Sequence, residues 1–417
     1  MQKLVVYHPS KYLGGTEVLF SRILDLLISR KYENIHIIDY SDGVLSSRFY
    51  KTSITYHNVI SYDVKEVLDG AVVIASARNI SRVIYESKQN NVKYIKPLFW
   101  LLHPSELYAG YCLGSTFLKR LSYKLLYRYI KLLPAIKVYM SIINKLDLNN
   151  NIWIMDRSCQ LESEWALNYK FREKVILPLI TNLDYQPVKN IEQERYTILI
   201  ISRLDDFKIH GIVKLLDDII QYTKKNKSCK ISVHIVGDGI AGKFLKENYV
   251  NSINMDVFFH GYVSGKKLTE LFHNGNYSLL FAMGTSALEG ASRGLPTVLL
   301  PCTDKSIRNR DNVYRYLHID NDQGLGEYID TPFEGTEYLT FNEIVEIFNR
   351  DKENLVCNTR KYFLNNYGKE ITQKKFLLSL EKVKILSINE VKISLTFRIY
   401  TKFILKKRLS TGGLILE

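Results

Sequence analysis

Short runs of apolar residues alternate with longer segments of helical period through the first half of the chain. The runs are KLVVYHP, NIHIIDY, GAVVIAS, YIKPLFWLLHP, NIWIMDR and KVILPLI. Val- and Ile-rich runs separated by amphipathic stretches predict the parallel strands of βαβ units. The pattern breaks over residues 181–195, TNLDYQPVKNIEQER, a polar stretch with a proline. It restarts with YTILIISR, KISVHIVGDG, DVFFHGYV, YSLLFA and PTVLL. The expected fold is α/β, with two Rossmann-like, doubly wound domains facing across a cleft between the carboxyl ends of their strands. The expected organisation is a first domain over 1–180, a linker over 181–195, a second domain over 196–365, and C-terminal helices with a basic tail over 366–417.

Composition narrows the function. The 417 residues, 46% hydrophobic and 24% charged, suffice for two cores and do not read as disordered. No apolar run approaches the roughly 20 residues that span a bilayer, and MQKLVVYHP reads as a first strand rather than a signal peptide. Five scattered cysteines with no CxxC pair argue against a disulfide framework or a zinc site, and predict a reducing, cytoplasmic setting. The net charge of +14 fits nucleic acid, an anionic membrane surface or phosphorylated substrates. Neither zinc-finger spacing nor an RNP-type motif is present, so nucleic acid is not expected. Part of the charge is concentrated in Phe117–Leu146, which holds seven Lys or Arg and no acid. There Arg120, Lys124, Arg128 and Lys131 recur at helical spacing beside a Leu face. Arg398, Lys402 and Lys406 repeat the pattern in the tail. Such helices are either solvated faces over an ordinary core or interfacial helices on anionic lipid.

Four constellations fall at predicted strand ends, where an α/β fold binds ligands. In HPSKYLGGTEVLF, Gly14 and Gly15 let backbone approach a phosphate or sugar closely. The stretch is not GxGxxG, which disfavours a nicotinamide or flavin. In ILIISRLDDFKIHG, Arg203 and Lys208 are two cations in a predicted loop, suited to a diphosphate. His103 ends the most apolar strand and could act on a hydroxyl. In GTSALEGASRGLP, Gly284, Thr285 and Ser286 open a helix whose amides could hold phosphate, with Glu289 one turn in, able to accept ribose hydroxyls. A DND at Asp320–Asp322 reads as a turn rather than a metal site.

The order and spacing of these residues resemble the retaining GT-B glycosyltransferases of family 4, also called group 1. The resemblance is weak in the first half and more specific from Ile198 to Leu300. It implies that Gly14 and Gly15 approach the donor phosphates or the acceptor, and that Arg203 and Lys208 neutralise the diphosphate in place of a metal. VHIVGDG and VFFHGYVSGKKL are similar to the family's next two strand–loop units, Gly261, Tyr262 and Val263 flanking the nucleobase. Glu289 matches the second Glu of the family's Glu-x7-Glu motif, while the first is replaced by Phe281. The implied activity is metal-independent transfer of a sugar from a nucleotide-diphosphate donor, with no further cofactor. The implied acceptor is a lipid-linked saccharide in surface-polysaccharide synthesis, reached from the inner face of the membrane. Arg203, Lys208 and His103 are the catalytic candidates. A nucleotide-sugar epimerase of the same fold, or a non-catalytic sugar-nucleotide or polyanion binder, is the alternative.

Overall fold

The computed structural model describes residues 2–103, 105–107, 134–172, 176–187, 196–249, 251–252, 254–303, 305–319, 324–326, 329, 337–399 and 401–402. The chain forms two compact units, Met1–Thr181 with Thr372–Glu417, and Asn182–Ile371.

The first unit is built on β1 (Leu4–Tyr7), β2 (Ile35–Asp39), β3 (Thr55–Asn58), β4 (Val72–Ser76), β5 (Tyr94–Leu101) and β6 (Ile152–Ile154). Their order is β5-β4-β1-β2-β3, with β6 beside the second half of β5, and all these pairs are parallel. Alternation along β1 feeds two cores. Val5 and Tyr7 pack with Ile80, Val83 and Ile84, whereas Leu4 and Val6 pack with Phe20, Ile23 and Leu24 of the helix Gly15–Ser29. Burial on both faces is why these strands read as unbroken apolar runs.

Two segments depart from the apolar pattern. Of KVILPLI, expected as a strand, Lys174 and Val175 lie outside the described residues; Ile176–Ile180 show a bridge, Ile154 to Ile176, rather than a strand, and Pro178 has no N–H to continue a ladder. Conversely β3, TYHN, escapes the pattern because it is a half-exposed edge strand.

Residues from Thr372 onward belong to the first unit rather than to a separate C-terminal piece. Phe376 stacks on Trp100 with centroids 6.1 Å apart. The strand Leu386–Ser387 pairs antiparallel with the start of β5, and Ile388, Val391 and Phe397 enter the core. Burial of these apolar groups offsets part of the entropy lost in ordering the segment.

The second unit carries β7 (Tyr196–Ile201), β8 (Ile231–Val236), β9 (Asn251–Ser252), β10 (Met255–Gly261), β11 (Leu279–Ala282), β12 (Thr297–Leu299) and β13 (Arg315–Tyr316). Their order is β13-β12-β11-β7-β8-β10-β9, parallel except for the two edge strands. Both sheets therefore reverse direction of growth beside their first strand, between β1 and β4 in one and between β7 and β11 in the other. In open α/β sheets, that switch point is where the connecting loops part and ligands bind.

Candidate functional site

The second unit's switch point is formed by two adjacent parallel strands, with Ile201 level with Ala282. The loops after the two strands therefore emerge side by side. After β7 come Ser202, Arg203, Leu204 and Asp205, then the helix Asp206–Lys225. Buried Leu204 anchors this turn, donating its N–H to Asp238 O at 2.9 Å and accepting from Ala241 N at 3.0 Å. The close fit explains VGDG: a Cβ on Gly237, φ +142°, would lie 1.8 Å from Ser202 O.

Arg203 keeps 65% of its side chain exposed and sits 3.4 Å from the Asp205 carboxylate. Asp205 is the helix N-cap residue, yet its side chain makes no capping bond. Lys208 lies in the first turn of that helix, not in a loop as expected, with its N–H bonded to Asp205 O at 3.0 Å. A cation there opposes the helix macrodipole. Arg203 and Lys208 thus place two cations around this helix start, beside the Asp205 carboxylate.

On the neighbouring side, Met283 and Gly284 alone connect β11 to the helix Thr285–Ser292. Gly284, at φ +61° and ψ −138°, holds a conformation closed to residues with a Cβ, and a Cβ built on it meets nothing within 4 Å. This helix start has no side-chain cap and no acid in its first turn. Thr285 is exposed, and Ser286 and Glu289 are half-buried. The same end of the sheet carries Gly261, the last residue of β10, followed by Tyr262 and Val263, two strands from β7. Gly261 O accepts from Gly237 N at 2.8 Å, and Tyr262 is 78% exposed.

Phe281 is fully buried on β11 and packs edge-on against Tyr314, centroids 5.7 Å apart. The position eight before Glu289 is thus a core position.

In the first unit, Gly14 is the extended N-cap of the helix Gly15–Ser29, beside the β1–β4 switch point. His103 follows β5, one strand beyond β4. Its Nδ1 accepts from Ser105 N at 3.3 Å and lies 2.9 Å from Ser105 Oγ. His103 and the two glycines thus follow the two strands that flank β4.

Three further groups lie at this end and are not among the candidate residues of the sequence. His8 Nε2 donates to Glu17 Oε1 at 2.9 Å, with both residues buried. Burial alone would raise the Glu17 carboxyl, but the His8 hydrogen bond and charge carry it down to about 2. Glu106 is buried, accepts from Leu102 N at 2.9 Å and lies 3.5 Å from Arg78 Nε; burial raises its pKa. Asp39 ends β2, where a dinucleotide fold keeps its ribose acid, but its oxygens accept from the backbone of Ser10, Tyr40, Leu45 and Ser46. That carboxylate shapes loops rather than a ribose site. One signal does exist: His-Pro-Ser occurs at the ends of both β1 and β5, each time before one of these buried glutamates.

Arg120, Lys124, Arg128, Lys131, Lys406 and Asp320–Asp322 lie outside the described residues. Arg398 and Lys402 are exposed. Among the described residues, no helix is long and apolar enough to cross a membrane.

Against known proteins, the model of the family described as glycosyl transferases group 1 matches residues 195–329. A search of curated proteins by sequence gives no match. Similar solved structures include the lipopolysaccharide outer core galactosyltransferase WaaB in its apo form, 12% identical, TM-score 0.58, covering 91% of this chain and 99% of that one. HepE of Anabaena, in complex with UDP and glucose, is 12% identical with a TM-score of 0.53, covering 91% of this chain and 100% of its own. A glycosyltransferase from Rickettsia africae is 13% identical with a TM-score of 0.53, covering 92% of this chain and 98% of its own. The chain thus has the GT-B fold of two parallel α/β domains, and its second domain carries the match to group 1 glycosyltransferases.

Proposed function

We propose that this protein is a glycosyltransferase that takes a sugar from a nucleotide-diphosphate donor held at the second unit's switch point. The observation that carries this reading is the placement there of Arg203, Lys208 and the uncapped start of Thr285–Ser292, inside the segment that matches group 1. The leaving diphosphate gains charge as the glycosidic bond breaks. Fixed cations and helix-end amides then stabilise the transition state more than the ground state. They do so without a divalent metal. Glu289 would accept the ribose hydroxyls, Gly261, Tyr262 and Val263 would flank the base, and Gly14, Gly15 and His103 would serve the sugar or the acceptor. The donor itself is the co-substrate, and transfer proceeds with retention, the acceptor attacking from the face the diphosphate leaves.

The acceptor is a lipid-linked saccharide in surface-polysaccharide synthesis, met at the inner face of the membrane. Supporting this are the fold shared with a lipopolysaccharide galactosyltransferase and exposed Leu395 and Ile399 beside the exposed cations Arg398 and Lys402. That combination suits an anionic lipid interface.

The test is a thermal-shift screen with nucleoside diphosphates and their sugars, then donor hydrolysis with and without EDTA. Stabilisation by a nucleoside diphosphate, with hydrolysis that survives chelation, is expected. Binding without turnover would leave a non-catalytic binder, and activity restored only by manganese would remove the metal-independent mechanism.

A further inference from the structure

We propose that His8 and Glu17 form a buried latch that sets the shape of the Gly14–Gly15 turn, making them positioning residues for the sugar or phosphate that this turn receives. The ligand assignment rests on the proposed function; the latch itself does not. His8 is the first residue after β1, and Glu17 lies in the first turn of the next helix. Their 2.9 Å bond therefore ties together the two ends of a loop whose tip, Lys11–Gly14, is exposed.

Three contacts fix the latch in place. The His8 ring stacks on Phe20, one helical turn beyond Glu17, with centroids 4.3 Å apart. A Cβ on Gly14 would come within 2.9 Å of Glu17 Oε2, so the glycine and the carboxylate are packed together. Ser10, midway along the loop, donates its N–H to Asp39 at 2.8 Å and accepts from Val44 N at 2.9 Å. The loop is held at its ends by the latch and at its middle by β2, which leaves the glycine turn little freedom. A turn that approaches a ligand through backbone amides gains from such prior ordering, because less entropy is lost on binding.

A buried hydrogen-bonded pair could equally be a packing device, so the test separates the two roles. In the full chain, His8→Phe with Glu17→Leu replaces the pair by apolar groups of similar shape, which such sites often tolerate. Amide hydrogen exchange over residues 8–18 should then accelerate by about tenfold at Gly14–Glu17, with little change elsewhere. Glu17→Gln, whose amide oxygen still accepts from Nε2, should stay near wild type. Gly14→Ala keeps both latch residues but crowds the carboxylate, and should accelerate exchange as the double variant does; it decides the matter if the double variant does not fold. Turnover of UDP-glucose, used as probe donor, should fall about tenfold in the double variant and recover in Glu17→Gln. Unchanged exchange at Gly14–Glu17 in Gly14→Ala, or fast exchange in Glu17→Gln, would overturn the latch. Fast exchange in the double variant with unchanged turnover would overturn the positioning role and leave a packing device. No turnover by wild type would count against the proposed function and leave the exchange result standing.

Discussion

Arg203→Ala and Lys208→Ala should separate catalysis from stability. The Arg203–Asp205 contact is 3.4 Å long, with Arg203 65% and Asp205 33% exposed. An ion pair that exposed contributes about 0–1 kcal/mol. Lys208 sits in the positive first turn of its helix, where a cation costs about 0.3–1 kcal/mol, and alanine is the better helix former. Each replacement should therefore change stability by no more than about 1 kcal/mol, roughly 2–4 °C in a domain of this size. Loss of one fixed charge aimed at a developing diphosphate costs far more, about 3–4 kcal/mol or 10²–10³ in kcat. The assay pairs donor turnover with denaturant unfolding of the same preparations. Near-normal rates in both variants, or rate losses that track losses of stability, would refute the assignment of this switch point to the donor.

Buried geometry sets three further outcomes. Phe281→Glu, the change that would rebuild Glu-x7-Glu by position, should cost more than about 3 kcal/mol and give no gain in activity, since it removes a core aromatic and buries a charge; a well-folded, faster variant in unfolding and rate assays would show that position 281 reaches the site. Gly237→Ala should destabilise by more than about 1 kcal/mol through the 1.8 Å approach to Ser202 O; a wild-type melting temperature would contradict that packing. His36 and His234, bonded to His57 at 2.8 Å and His260 at 2.9 Å, are pushed down to about 4 by burial and by their neighbouring imidazoles. The unfolded chain then binds more protons between about pH 6.5 and 4, so stability should fall as pH drops through that window. Denaturant midpoints should show the slope, and His234→Asn should reduce it.

The alternation of apolar runs determined the α/β class and the doubly wound sheets. Strands buried on both faces, such as β1 and β7, cannot hide their composition. Where burial is one-sided or brief the sequence is quiet, so β3 leaves no apolar run and residues Ile176–Ile180 imitate a strand despite Pro178. Arg203, Gly284 and Glu289 stand out as candidates because glycine, charge and helix starts carry local meaning. The His8–Glu17 pair does not, because eight residues separate two groups that meet only once β1 and its helix are packed. Similarly, Phe281 can be counted as an absent carboxylate, but only the core around it explains why none fits. The return of residues beyond Thr372 to the first unit is also a tertiary decision, made by Trp100 and the open edge of β5. Local pattern fixes what a segment can form. Which distant groups share a site depends on strand order, and strand order is set by packing across the whole sheet.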